Sequence, residues 1–233
     1  SMGYVFDIGS VLTGKYLDWF LIGLATTLAL TAVAWCLAMA MGIILTLVRM
    51  IPFPPLGWFV ALYVEYHRNV PLLVQIFVWY FGVPSLLPRP ARQWINAHHG
   101  EFLLAAIALG LAAAAYVAED IRSGIRSIPK AQYESARSIG FGYLGAMGYV
   151  VLPQALRIAV PPLINQTLLL FKNTSLAMAI GVGELTYRTR EVESYTFKTF
   201  EAFAVATALY LAISFGIMAL GSWSGQRLRL ETR

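Results

Sequence analysis

Residues 128–140 read IPKAQYESARSIG, a charged, small-residue stretch inside a chain that is 58% hydrophobic and only 12% charged. Ser127-Ile128-Pro129 has the form of a helix start. The serine can cap, and a proline in the first turn gives up an N–H that has no helical partner. Lys130 to Ile139 can form one short helix, and Gly140 stands where a stop needs a residue tolerant of positive φ. Ala131, Ser135 and Ala136 are small enough for another protein to approach closely, while Glu134 and Arg137 offer polar contacts on the same element. Leu152-Pro153 follows, with the proline thirteen residues beyond Gly140.

The chain around this stretch is too apolar for a soluble domain. Globular domains carry about 25% charged residues, and the mean hydropathy here is +0.66. An integral membrane protein, with the lipid bilayer as its solvent, is the expected class. The net charge of +5 is spread over loops, without a basic run or aromatic-basic platform, so no nucleic-acid partner is expected. Cys36 is the only cysteine, which excludes a disulfide framework. Its apolar setting reads as that of a buried, inert thiol.

A helix crossing the hydrocarbon needs about 20 apolar residues. Trp19 to Val48 is free of charge, and Leu56 to Leu87 is a second run interrupted by Glu65, His67, Arg68 and Asn69. Phe102 to Ala118 is a third, and Ala202 to Gln226 a last one. Between them, Ile158 to Phe171 and Leu176 to Val182 flank Lys172-Asn173-Thr174-Ser175 as one broken span. The expected architecture is a single all-α membrane domain over 1–233, with five spans at about 19–48, 56–87, 101–122, 154–183 and 200–226. A cytoplasmic loop at about 124–153 would carry the opening stretch. Strand-period alternation is absent, and the runs are too long for barrel strands of about 10 residues.

Pro84 to Gly100 reads as an external loop with an interfacial piece around Trp94. His98-His99 in it lacks the Cys or carboxylate pattern of a metal site. With the N-terminus periplasmic and the C-terminus cytoplasmic, inner loops hold Arg49, Arg122, Arg126, Lys130, Arg137, Arg157, Arg227, Arg229 and Arg233. Outer ones hold Lys15, Arg89, Arg92, Arg188, Arg190 and Lys198. The excess of inner cations favours that orientation.

Gly9-Ser10-Val11-Leu12-Thr13-Gly14-Lys15 imitates a phosphate loop, but Tyr16 stands where a magnesium-binding hydroxyl is needed and no strand precedes it. This chain is not expected to bind ATP or any cofactor, and no nucleophile–base pair marks it as an enzyme. The intramembrane polar groups carry more. A charge at a helix centre costs about 2.5–3.5 kcal/mol on insertion scales. Glu65 and Arg68, at i and i+3, share a face and can pair, and Pro71 removes a backbone donor nearby. Two readings stand: the pair staples the bundle, or it lines a polar path together with Asn69 and the break at Lys172, Asn173, Thr174 and Ser175.

Glu134-Ser135-Ala136, Gly140 and Val150-Val151-Leu152-Pro153 match in spacing the "EAA" signature of bacterial ABC importer permeases, E-A-A-x3-G-x9-I-x-L-P. Ser135 replaces the first alanine and Val150 the isoleucine. YVEYHRNVPLLVQIFVWYFGVPSLLP (63–88), LPQALRIAVPPLINQ (152–166) and KNTSLAMAIGVGEL (172–185) resemble the polar amino acid permease subfamily. Residues 16–94 are most similar to glutamate/aspartate permeases.

The resemblance implies an ABC type I importer permease fold in a bacterial inner membrane. Two such subunits, alike or different, would form the pore. Each would dock through its coupling helix on one subunit of an ATPase dimer, which uses ATP and Mg. A periplasmic binding protein would deliver the amino acid. Lys130, Ala131, Glu134, Ser135, Ala136, Arg137, Gly140, Leu152 and Pro153 would then be the coupling residues. Glu65, Arg68, Asn69, Lys172, Asn173, Thr174 and Ser175 would contact substrate, with Arg68 on its carboxylate and Lys172 suiting an acidic side chain. A permease for another polar or basic amino acid is the alternative, and a self-sufficient secondary carrier a more distant one.

Overall fold

The computed structural model describes residues 4–228; Arg229 and Arg233, two of the cations expected on the inner side, lie outside them. After a 3-10 turn at Ile8–Val11, α1 runs from Lys15 to Met50. Its 36 residues span about 54 Å, more than the hydrocarbon core requires. The Gly9–Lys15 stretch forms no phosphate loop: Gly14 (φ 57°) simply turns the chain into α1.

α2 (Pro54–Asn69) is followed by α3 (Leu72–Phe77), a π turn at Val78–Gly82 and α4 (Val83–Leu86). The run expected as one span at 56–87 is bent by 108° at Val70-Pro71. Proline pushes the residue before it out of the helical region, and Val70 is extended, at φ −91° and ψ 130°. α5 (Arg89–Ala97) covers the piece around Trp94 that was expected at the interface, with Trp94 stacked on His98 at 4.4 Å.

α6 (Gly100–Arg126) is the hub, far more buried than the other spans. Helices in lipid associate through close van der Waals contact, which small residues permit. A methyl on Gly110 would meet the Ala34 carbonyl at 3.0 Å, and one on Gly42 the Val117 side chain at 2.5 Å. At the other end, a methyl on Gly124 would lie 2.5 Å from the Ala155 carbonyl.

α7 (Lys130–Ser138) is the short helix of the opening stretch. Beyond it, α8 (Tyr143–Gly145), a π turn at Ala146–Val151, α9 (Leu152–Asn173) and a 3-10 turn at Thr174–Ile180 join into one helical run of 38 residues. So the expected loop at 124–153 is helical at both ends. The expected break at Lys172–Ser175 is no break either: the helix tightens from α to 3-10 pitch at Thr174 and ends at Gly181, φ 87°. α10 (Leu185–Thr196) and α11 (Thr199–Leu228) complete the described chain.

Among the described residues four helices are long and apolar enough to cross a membrane, and the bent run α2–α4 makes up to a fifth span. Cys36 is exposed on α1, contrary to the buried thiol expected. In a membrane protein an apolar neighbourhood in sequence includes the lipid-facing side, so it does not imply burial within the protein.

Candidate functional site

At the C-terminal end of α6 the chain turns into α7. Ser127 does not cap α7, contrary to expectation; its Oγ donates to the Ser123 carbonyl and finishes α6 instead. Pro129 itself occupies the N-cap position. The C-terminal end is built more tightly. Gly140, at φ 97°, donates its N–H to the Arg137 carbonyl at 3.1 Å, and Phe141 donates to Ala136, also at 3.1 Å. This is the Schellman pattern, and it requires the left-handed residue that glycine supplies most cheaply. Arg137 Nη1 donates to the Phe141 carbonyl at 3.2 Å and holds the turn from outside.

Lys130, Ala131, Glu134 and Ser135 face solvent, whereas Ala136 is 3% exposed and packs inward against the following π turn. Ala136 therefore seats the helix and is not part of its open face. Leu152 and Pro153 follow that π turn, so the signature's two ends meet at the junction of α7 and the long helical run. Nearby, Arg49 Nη1 lies 3.0 Å from Glu119 Oε1, and Arg122 Nη1 lies 3.4 Å from Glu119 Oε2. This triad ties α1 to α6. The sequence reading missed it because Arg49 comes from α1, 70 residues away in sequence from Glu119.

The second constellation lies at the bend after α2. A cavity of about 90 Å³ is lined by His67, Tyr116, Gln166 and Asn173, with apolar side chains from α3, α6 and α9. Glu65 and Arg68 form no ion pair. Asn69 Nδ2 instead donates to the Glu65 carbonyl at 2.7 Å and its carboxylate at 2.9 Å, while Arg68 lies over the Tyr116 ring at 5.7 Å. Glu65, Arg68 and Asn69 are all exposed.

The expected juxtaposition with residues 172–175 is split. Asn173 faces the cavity, Thr174 is fully buried, and Lys172 and Ser175 line a separate cavity of about 380 Å³ with α10 and α11. Successive residues of a helix point about 100° apart, so four in a row cannot share one wall.

Two residues carry what the sequence reading assigned elsewhere. Gln75, 2% exposed, donates to the carbonyls of His67 at 3.1 Å and Val70 at 2.8 Å. It satisfies the acceptors that the break at Pro71 leaves open. Asp120, one turn beyond Tyr116 on α6, has its carboxylate within the influence of Arg68 and hydrogen-bonded to Gln166, while its Oδ2 is buried without a donor. Asp120 stands two residues beyond the third charge-free run, inside the expected span at 101–122, and the sequence reading gave it no role.

A helical bundle of this topology with a short coupling helix between its third and fourth spans defines the class, an importer permease of the ABC type I fold. The model of the family "Binding-protein-dependent transport system inner membrane component" matches residues 8–230, and the chain belongs to that family. The chain is 35% identical over 219 residues to the glutamate/aspartate import permease protein GltJ of Escherichia coli (strain K12), covering 92% of this chain and 89% of that one. It is 36% identical over 192 residues to the probable glutamine ABC transporter permease protein GlnM of Bacillus subtilis (strain 168), covering 82% and 85%. Among solved structures, an amino acid ABC transporter crystallised with histidines superposes at a TM-score of 0.84 with 31% identity, covering 96% of this chain and 100% of that one. The chain is thus an amino acid ABC permease, a transport subunit and not a catalytic enzyme.

Proposed function

We propose that this chain is the membrane-spanning subunit of an ATP-driven importer that carries polar amino acids from periplasm to cytoplasm. The observation that carries the reading is α7: a short helix with an open face of Lys130, Ala131, Glu134 and Ser135, stopped by a Schellman turn and seated on the π turn that leads into the fourth helical run. Such an element can accept a push and pass it on as a tilt of packed helices. The partners are an ATPase dimer that binds ATP and Mg, a second permease subunit, and a binding protein. This chain itself binds no cofactor. Its N-terminus is periplasmic and its C-terminus cytoplasmic.

Glutamate or aspartate is the substrate suggested by the E. coli relative. Gln166 and Asn173 in the cavity wall offer neutral donors and acceptors to an amino acid backbone, and Arg68, outside the wall but over the ring of its Tyr116, offers a planar fork for carboxylate. Lys172 turns to another wall, which removes it as the partner of an acidic side chain. Asp120 favours a second reading, a basic or neutral polar substrate, because its unpaired carboxylate oxygen accepts a cation.

Uptake of labelled glutamate, aspartate, glutamine, histidine and arginine into proteoliposomes, with ATPase and binding protein present, separates these readings. ATP-dependent accumulation of one or more of them supports the function. Accumulation of none of them refutes it.

A further inference from the structure

The cavity at the α2 bend has a polarity that its neighbours impose. His67 stands on the buried face of α2 with Val60 and Val64, at the spacing i, i+4, i+7. Its ring packs on Tyr63 at 4.1 Å and edge-on against Tyr66 at 4.9 Å. The Tyr63 hydroxyl is itself fixed, donating to the Leu111 carbonyl of α6 at 2.6 Å. The imidazole is therefore held in one place, and it forms part of the cavity wall.

His67 Nδ1 lies 2.9 Å from the Tyr63 carbonyl oxygen. A carbonyl only accepts, so Nδ1 carries the proton and the neutral ring keeps Nε2 as a bare acceptor. No described residue donates to Nε2. Nor is it sealed: the buried side-chain atoms without a partner, among the described residues, are Asp120 Oδ2 and Arg188 Nε. Gln166 enters the same wall from α9 and is hydrogen-bonded to the Asp120 carboxylate. A carboxylate accepts, so Gln166 spends an N–H outside the cavity and keeps its Oε1.

Both side chains thus turn an acceptor to one small space. Its volume of about 90 Å³ is below the roughly 300–1,000 Å³ of pockets that enclose a whole ligand. It has room for a few waters or for one end of a molecule. An ammonium group offers three N–H donors and no acceptor, whereas a carboxylate would meet lone pairs with lone pairs.

We propose that this cavity is an ammonium subsite, in which His67 Nε2 and Gln166 Oε1 accept from the α-amino group of the carried amino acid. The proposal rests on the reading of the chain as an amino acid permease. His67 is its defining residue, with Tyr63 setting the tautomer and Asp120 setting the orientation of Gln166.

The test uses the assembled transporter in nanodiscs, without binding protein. The probes are L-glutamate and glutarate, L-glutamine and glutaramate, and L-arginine and 5-guanidinovalerate. The second member of each pair lacks only the α-amino group. At least one amino acid should bind about tenfold more tightly than its partner, the scale of one hydrogen bond to a charged group. His67→Asn keeps a donor for the Tyr63 carbonyl and loses the acceptor at the Nε2 position, so the preference should vanish. His67→Gln places an amide oxygen there and should restore most of it. In nitrogen-15 NMR of histidine-labelled transporter, the bare Nε2 signal that His67→Gln removes should move with the preferred amino acid and stay put with its partner. Size-exclusion chromatography shows that each variant is assembled.

Equal affinities within all three pairs overturn the subsite, as does an amino acid preference that survives His67→Asn. A proton found on Nε2 of the neutral ring overturns it without any variant. ATP-dependent uptake with binding protein present separates the two levels. Uptake by a wild type that shows no such preference removes the subsite and leaves the permease reading intact, whereas a wild type that carries no amino acid removes both.

Discussion

The N–H of Phe141 donates to the carbonyl of Ala136 at 3.1 Å, and this one bond turns the chain back under α7 and fixes where the coupling helix ends. Gly140, at φ 97°, makes the reversal possible. Ala136, nearly inaccessible, is both the acceptor and the residue that seats the helix.

Gly140→Val should misplace α7 and leave the spans in place. A side chain in the left-handed region costs about 1–2 kcal/mol, and no neighbour lies close enough to reward the added methyls. Hydrogen exchange at 130–141 should rise while the protection of α6 stays unchanged. Unchanged exchange at 130–141 would show that the stop does not depend on this glycine.

Gly124→Ala should destabilise the bundle itself. The methyl would press on the Ala155 carbonyl at 2.5 Å, and backbone cannot rotate away as a side chain can. Overpacking of this kind costs about 1–3 kcal/mol. Thermal unfolding in detergent should shift downward, and a wild-type midpoint would mean that α6 and α9 approach less closely than described.

Gln75→Leu should loosen the bend between α2 and α3. It strips donors from the His67 and Val70 carbonyls, and a buried unsatisfied acceptor costs about 1–3 kcal/mol. The expected sign is a lower unfolding midpoint than that of Val74→Leu, an exposed neighbour on the same helix. Equal midpoints would assign the bend to Pro71 alone.

Glu184 caps α10 by accepting from the N–H groups of Thr186 at 2.9 Å and Tyr187 at 2.7 Å, and from the Tyr210 hydroxyl at 3.0 Å. Burial pushes its carboxyl above the usual range, and the donors offset this only in part. A raised folded-state pKa contributes stability that is fully present below the unfolded value, about 4.3 for Glu, and is lost as pH rises through the folded value. The wild type should therefore lose stability above that pH, while Glu184→Gln should show a flatter profile over the same window. Parallel profiles would show that Glu184 does not set this pH dependence. The variant should also start about 1 kcal/mol lower through its weakened cap.

Much of this architecture was legible in sequence, for stated reasons. Charge-free runs located the spans because the bilayer penalises charge, and Pro129, Gly140 and the spacing to Leu152-Pro153 located the coupling helix because each restricts the backbone locally. What could not be read depended on rotation about helix axes and on partners distant in sequence. Lys172, Asn173, Thr174 and Ser175 looked like one polar group but point to different walls. Glu65 and Arg68 looked like a pair, yet Asn69 satisfies Glu65 from one turn on. Asp120 escaped notice because the groups that meet its carboxylate, Arg68 and Gln166, come from other helices.

The central claim is that α7 transmits work from a separate ATPase, and Glu134→Lys tests it most directly. Glu134 lies on the open face of α7 and its side chain makes no bond to any other described residue, so charge reversal should leave the fold intact. Like-charge contact across a docking surface costs several kcal/mol. The measurement is amino acid accumulation in proteoliposomes with ATP inside and binding protein outside, alongside ATP hydrolysis by the same preparation. The account predicts an assembled complex whose ATP hydrolysis no longer drives accumulation. Accumulation at the wild-type rate, with hydrolysis equally coupled, would contradict it.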